Sequence, residues 1–280
     1  MDPVRAAYLS CACLFLLGLV LRLTTGVSAD VLIIGPLLAA AAVYTLSPQI
    51  RWWHWLRNPP DLPLDLAPLL DRFDLYRRLG LEGKREFRRR TFMLKEGSDI
   101  QGRAIEQFPE DVKIMVAASA ATISFYRDDF LIGDFENIIF YRHYFPSPGY
   151  DVLHCSELHE EDGVIIWTLN VFLQSVVEPK KYLQLGLYEY ARALYIVEQG
   201  LREKLSSETL TYAQIERVSG FTEEKLKQFI GLEDLDTVAI THVLFFTHRE
   251  ELLALYPEVI ARFDQAVGPM LGQQASPAGG

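Results

Sequence analysis

Cysteine is scarce: the 280 residues hold three, Cys11, Cys13 and Cys155. Three thiols without a Cys-x-x-Cys pair exclude a disulfide framework and a zinc knuckle. Histidine is scarce too, with six residues at 54, 143, 154, 159, 242 and 248. No two of them fall four apart, so no helix presents the His-Glu-x-x-His face that holds zinc. Glycine-rich phosphate loops, Gly-x-Ser-x-Gly elbows and internal repeats are all missing. Positive charge is in deficit, with 27 basic residues against 37 acidic and a net charge of −10. Sequence-tolerant nucleic-acid binding lives on Lys/Arg–phosphate contacts, so no nucleic-acid partner is expected. Charge is limited to 23% and apolar residues reach 50%, which excludes disorder for the bulk of the chain.

The apolar residues are unevenly placed. Residues 6–21 and 31–46 carry no charge. Each run is a little short of the roughly 20 residues that cross a bilayer core. The first extends past Arg22, whose charge can snorkel, and the second through Ile50. Spans at about 6–23 and 31–50, joined through the turn-like Thr24-Thr25-Gly26, make a membrane hairpin over 1–57. Trp52, Trp53 and Trp55, bracketed by Arg51 and Arg57, form an interfacial belt. Arg5, Arg51 and Arg57 place both ends on the cytoplasmic side. Two other readings stand beside this one. Val27-Ser28-Ala29 can serve as a signal-peptidase site, leaving the second run as a lone anchor. Alternatively, both runs are core helices of a globular domain.

A proline-rich linker, residues 58–65, leads into one soluble domain over 66–270, with a polar tail at 271–280. Helices are expected at 66–80 and 84–96, the second carrying the basic run Lys84 to Arg90, a solvated face near lipid headgroups. Pro109-Glu110-Asp111 opens a helix to about Tyr126, with proline and acids suited to its first turn. Its small residues, Ala117 to Ala121, permit another helix to pack closely. Strands follow at Asn137–Phe145, Tyr150–Leu158 and Gly163–Leu169, the last two as a hairpin. Helices resume at 170–178, 181–201, 211–230 (two, around Gly220), 234–249 and 249–267. The order is α+β: helices, a small sheet, helices.

Local chemistry is thin. His154 and His159, with Glu157 between them, lie in a strand and turn whose alternation sends odd and even positions to opposite faces. They read as a polar sheet edge. His242 and His248 are out of phase on a helix. Cys155 reads as a small core residue.

Five segments, in order, resemble the Mlc titration factor A family of zinc-dependent peptidases. They are Phe87 to Glu96; Asp111 to Ala120; Ile138 to Phe145; Ser156-Glu157 with Gly163 to Trp167; and Phe245 to Leu252 with Tyr256-Pro257-Glu258. The resemblance covers about 85–267. It implies a zincin-like domain of a bacterial protein, mostly helical with a small β-sheet; the membrane hairpin lies outside it, and hairpin and resemblance together lead to an expected place in the bacterial inner membrane. That family's helix carries His-Glu-Phe-Ala-His, two zinc ligands around a general base. The matching stretch here is Tyr188-Glu189-Tyr190-Ala191-Arg192. The resemblance therefore puts Glu189 at the base position, and Tyr188 and Arg192 at the ligand positions. Asp236 aligns with the third ligand.

Zinc in a hydrolytic site needs three lone-pair donors. Arg192 is permanently cationic and offers none. It is instead expected to pair with Glu189, three residues earlier on the same face, or with Asp236. The resemblance then implies a catalytically inactive, membrane-anchored relative without cofactor, binding a protein or peptide partner in a regulatory role. The peptide would be held by β-augmentation at an edge near Gly163–Trp167, with Glu157 and Trp167 marking it. Two alternatives remain. One is an active zinc peptidase using a ligand set from His154, His159, Glu157, Glu189 or Asp236. The other is a structural subunit of a membrane complex.

Overall fold

A computed structural model describes residues 3–25, 30–63, 65–148 and 150–267. The Gly26 turn, the Val27-Ser28-Ala29 cleavage reading and the tail at 271–280 lie outside these. The chain divides into two units, Met1–Pro60 and Asp61–Gly280, a boundary inside the expected linker.

The first unit is a pair of helices, α1 (Pro3–Thr25) and α2 (Asp30–Arg57). At 1.5 Å per residue they measure about 35 and 42 Å, and a bilayer core is about 30 Å thick. Both are long and apolar enough to cross a membrane, and only 11% and 6% of their most apolar windows are buried. That exposure contradicts their reading as core helices of a globular domain. Helix α2 runs further than expected and carries the tryptophan belt, with the Arg57 guanidinium 3.7 Å from the Trp53 ring centre. Arg22 and Asp30 pair at 2.9 Å where the helices meet the loop. At Gly18 any Cβ would collide with Leu32, so glycine is what lets the helices approach there.

The second unit is mixed helix and sheet. Its first expected helix is broken: Ala67–Arg72 is a 3-10 turn, and α3 (Asp74–Arg78) follows Phe73, which is extended. Helix α4 (Leu81–Gly97) carries the basic run. A short strand, β1 (Asp99–Gly102), was not expected; four residues are too few for a visible alternation. Helix α5 (Glu110–Ser124) is buried from Val112 almost all round, as its small side chains permit.

The expected strands are each divided. Asn137–Phe145 becomes β2 (Asn137–Tyr141) and the start of β3 (Phe145–Ser147). Tyr150–Leu158 becomes β4 (Tyr150–His154) and β5 (Ser156–His159), parted at Cys155. There the chain leaves one sheet for the other, with the Cys155 N–H bonded to the Ile230 carbonyl instead of a strand. β3 and β4 form a two-stranded ribbon. The main sheet has the order β1-β2-β6-β5, where β6 is Val164–Thr168. β1, β2 and β6 are parallel and β5 is antiparallel to β6. The β5–β6 hairpin turns through Gly163 at φ +61°, where a Cβ would strike the Asp134 carbonyl.

Helix α6 (Leu169–Val177) leaves β6 directly, and α7 (Leu185–Val197) follows. Gly186 of α7 lies so close to Ser119 of α5 that a Cβ would overlap the hydroxyl. This is the close helix packing that the small residues of α5 foretold. The expected helix 181–201 is shorter, and a separate α8 (Leu201–Ser206) starts after Gly200 at φ +84°. α9 (Tyr212–Ser219) and α10 (Glu223–Ile230) flank a left-handed Gly220, as expected. α11 (Thr237–Thr247) is almost wholly buried. The last expected helix splits into α12 (Arg249–Leu255) and α13 (Pro257–Ala266), because Pro257 opens a new helix rather than continuing the old one.

Candidate functional site

The site is built on α7 against β5. Ser156 of β5 and Trp167 of β6 are register partners, so their side chains share a face of the sheet. That face meets α7: Trp167 packs on Tyr190 at 5.8 Å between ring centres, and the Ser156 hydroxyl reaches Glu189. Glu189 is completely buried. Its Oε1 accepts the Ser156 hydroxyl at 2.5 Å, and its Oε2 accepts Arg192 Nη1 at 2.6 Å. The expected Glu189–Arg192 pair therefore forms, and the alternative with Asp236 does not. Glu189 keeps the Arg192 guanidinium well above its ordinary range despite the opposing effect of burial.

Tyr188 lies on the other side of Arg192, whose guanidinium carbon is 5.6 Å from the phenol ring centre. The Tyr188 hydroxyl accepts the Asp236 backbone N–H at 3.0 Å. Burial first, and the Glu189 charge second, push this phenol above its ordinary range, so it stays neutral. Asp236 caps α11, with Oδ1 accepting the N–H groups of Val238 at 2.9 Å and Ala239 at 3.2 Å. Its Oδ2 pairs with Arg202 at 3.2 Å. Tyr188, Glu189, Arg192 and Asp236 are thus brought into one connected region, although they are up to 48 residues apart.

Glu157 is not part of it. It follows Ser156 on β5 and so faces the opposite side of the sheet. There it meets His154 Nε2 at 3.0 Å and His159 Nε2 at 3.1 Å. His154 Nδ1 lies 3.1 Å from the Val152 carbonyl. A carbonyl only accepts, so Nδ1 donates, and Nε2 and Glu157 hold one further proton between them. His154 and His159 meet through this carboxylate because Cys155 breaks the strand, which simple alternation along one strand did not anticipate.

Trp167 requires a correction. The segment Gly163–Trp167 is not an edge: β6 has β2 on one side and β5 on the other, and Trp167 is fully buried. The edge strand beside α7 is β5. Ser156 is the residue that sequence reasoning passed over; its neighbour Glu157 drew attention by charge, while strand alternation pointed Ser156 the other way. His242 and His248 are structural. His242 lies among Phe245, Phe246 and Phe263 and bonds Tyr195 at 3.0 Å through Nδ1. Burial lowers it to about 3 and, with less burial, lowers His248 to about 4. Cys155 is a buried thiol raised by desolvation, as expected of a core residue.

As a donor set for zinc the α7 cluster fits poorly. Tyr188 is a neutral phenol, Arg192 has no lone pair, and both Glu189 oxygens already accept hydrogen bonds. Among the described residues, no group of three or more His, Cys, Asp or Glu is placed to hold a metal ion. The mixed set drawn from His154, His159, Glu157, Glu189 and Asp236 does not converge, since its first three members lie on the other face of β5 from Glu189. Comparison with protein-family models, with curated proteins and with solved structures gives no match.

Proposed function

We propose that this chain is a membrane-anchored, zincin-like relative of the Mlc titration factor A peptidases that has given up metal hydrolysis and binds a protein or peptide partner in a regulatory role. The observation that carries the reading is the Arg192–Glu189–Ser156 chain of hydrogen bonds. At the positions where the resemblance puts a ligand and a base, it leaves a saturated carboxylate and a fixed cation. A zinc-bound water owes its reactivity to the metal's lowering of its pKa, and this donor set gives the metal no seat. The antiparallel strand β5, paired on one side only, supports partner binding, because extended peptide can add to such an edge without any metal. The apolar hairpin supports anchoring in the bacterial inner membrane. Arg5, Arg51 and Arg57 lie at its open end, while Arg22 is neutralised by Asp30 at the loop, which favours a cytoplasmic domain.

The test is elemental zinc and hydrolysis of aminoacyl reporters by the full chain in detergent. The expected result is no stoichiometric zinc and no hydrolysis. One equivalent of zinc with activity that disappears in Glu189→Gln would overturn the reading and make the protein a metallopeptidase.

A further inference from the structure

We propose that the start of helix α4 is a second membrane contact, a basic surface with an apolar prong that binds anionic lipid headgroups. Residues 72–90 hold eight basic side chains against three acidic ones, +5 in a chain whose net charge is −10. Not all of these charges are free. Arg77 pairs with Asp74, Arg78 with Glu250, Arg88 with Asp61, and Arg90 with Glu86 and the carbonyls of Phe125 and Arg127. Lys84 rests on the Tyr76 ring at 5.3 Å and makes no ion pair among the described residues. Arg85 is exposed, and Arg89 has a buried Nε with no hydrogen-bond partner. Arg85, Arg89 and Arg90 line an open cavity of about 420 Å³ together with Glu82, Glu86 and Asp128, so the cavity itself is balanced in charge and the cationic surface is the outer one of Lys84 and Arg85.

Leu81 gives the second, independent observation. It is the first residue of α4 and is 88% exposed, the most exposed large apolar side chain among the described residues. An apolar side chain standing among cations suits a lipid–water interface, where its burial adds to the attraction of each charge. A soluble phosphate would use the arginines but gain nothing from Leu81. The Asp61–Arg88 pair fixes the first residue of this unit onto α4 itself. Arg88 keeps Asp61 charged by holding its carboxyl below the usual range.

The test uses the full chain with Cys11→Ala, Cys13→Ala and Leu81→Cys, a polarity-sensitive fluorophore on the introduced thiol, and nanodiscs of phosphatidylcholine alone or with one third phosphatidylglycerol. The expected result is a blue shift of the fluorophore with phosphatidylglycerol only, reversed by 0.5 M salt, at a concentration far above that giving a Debye length of about 10 Å. Lys84→Gln and Arg85→Gln, both outside the core, should each weaken the docked state about fivefold. Hydrogen exchange across 77–90 of the unlabelled chain gives a second readout and should slow with phosphatidylglycerol alone. Identical spectra and exchange in the two discs would overturn the proposal. So would inorganic phosphate at millimolar concentration producing the same protection in phosphatidylcholine discs, which would make the surface a soluble-anion site.

Discussion

Two glutamates separated by one strand face opposite fates. Glu189, on α7, is matched to a permanent cation and a hydroxyl; Glu157, on β5, is matched to two imidazoles. Both are buried, and both have their two oxygens engaged. The difference lies in the partner. Arg192 cannot give up its proton in any physiological range, so Glu189 faces a permanent cation. The Glu157 cluster is held by two imidazoles instead, ring nitrogens that carry no permanent charge. A buried carboxylate therefore says little about chemistry until its partners are known.

The largest expected effect comes from breaking the fixed pair. Arg192→Leu strands the Glu189 carboxylate away from water and should cost about 3–5 kcal/mol in urea unfolding of the full chain in detergent. The double change Glu189→Gln with Arg192→Met should recover most of that loss. If it is as unstable as the single variant, packing rather than the unpaired charge is responsible.

Glu157→Gln breaks the other side of the comparison. It leaves His154 with an amide in place of a carboxylate and should cost about 1–3 kcal/mol. That is less than the loss expected of Arg192→Leu, because the partners of Glu157 are two imidazoles rather than a permanent cation. Equal losses in the two variants would dissolve the distinction.

Acid sensitivity is expected from two other buried histidines. His242 and His248 titrate at about 3 and about 4 in the fold because burial opposes their charged forms. Their ordinary value is about 6.5, so between that value and the depressed ones the unfolded chain binds more protons. Stability is then fully present above about pH 6.5 and falls as pH drops, by up to about 1.4 kcal/mol per pH unit for each group. His242→Phe should remove close to half of that slope, and an unchanged slope would show that other groups carry it.

The smallest effect belongs to the surface. Arg202 pairs with the Asp236 carboxylate, but its side chain is 55% exposed. Arg202→Ala should cost under about 1 kcal/mol and fade with salt. A larger loss would mean that Asp236 depends on Arg202 to hold the cap of α11.

Much of the local structure could be read directly. The two apolar runs, the Gly220 break, the small-residue face of α5 and the i, i+3 pairing of Glu189 with Arg192 all depend on neighbours in sequence, and periodicity exposes such relations. The misses share a different cause. β1 exists because β2 pairs with it, and four residues have no pattern of their own. The strand through Cys155 breaks because the next partner of the chain is the Ile230 carbonyl, 75 residues away. Trp167 looked like an edge residue until two flanking strands made it an inner one. Ser156 carried no charge to notice, yet its hydroxyl is the second contact of Glu189.

Sequence alone determined which segments are apolar enough for a bilayer, that cations concentrate over residues 84–90, and that Arg192 stands three residues after Glu189. Covalent neighbours and side-chain chemistry suffice for those. Only the tertiary structure decided that Glu189 is buried and saturated, that Glu157 faces away from it, and that β5 rather than β6 forms the edge. Each of those depends on which strand lies beside which, and strand order is set by contacts between residues far apart in the chain.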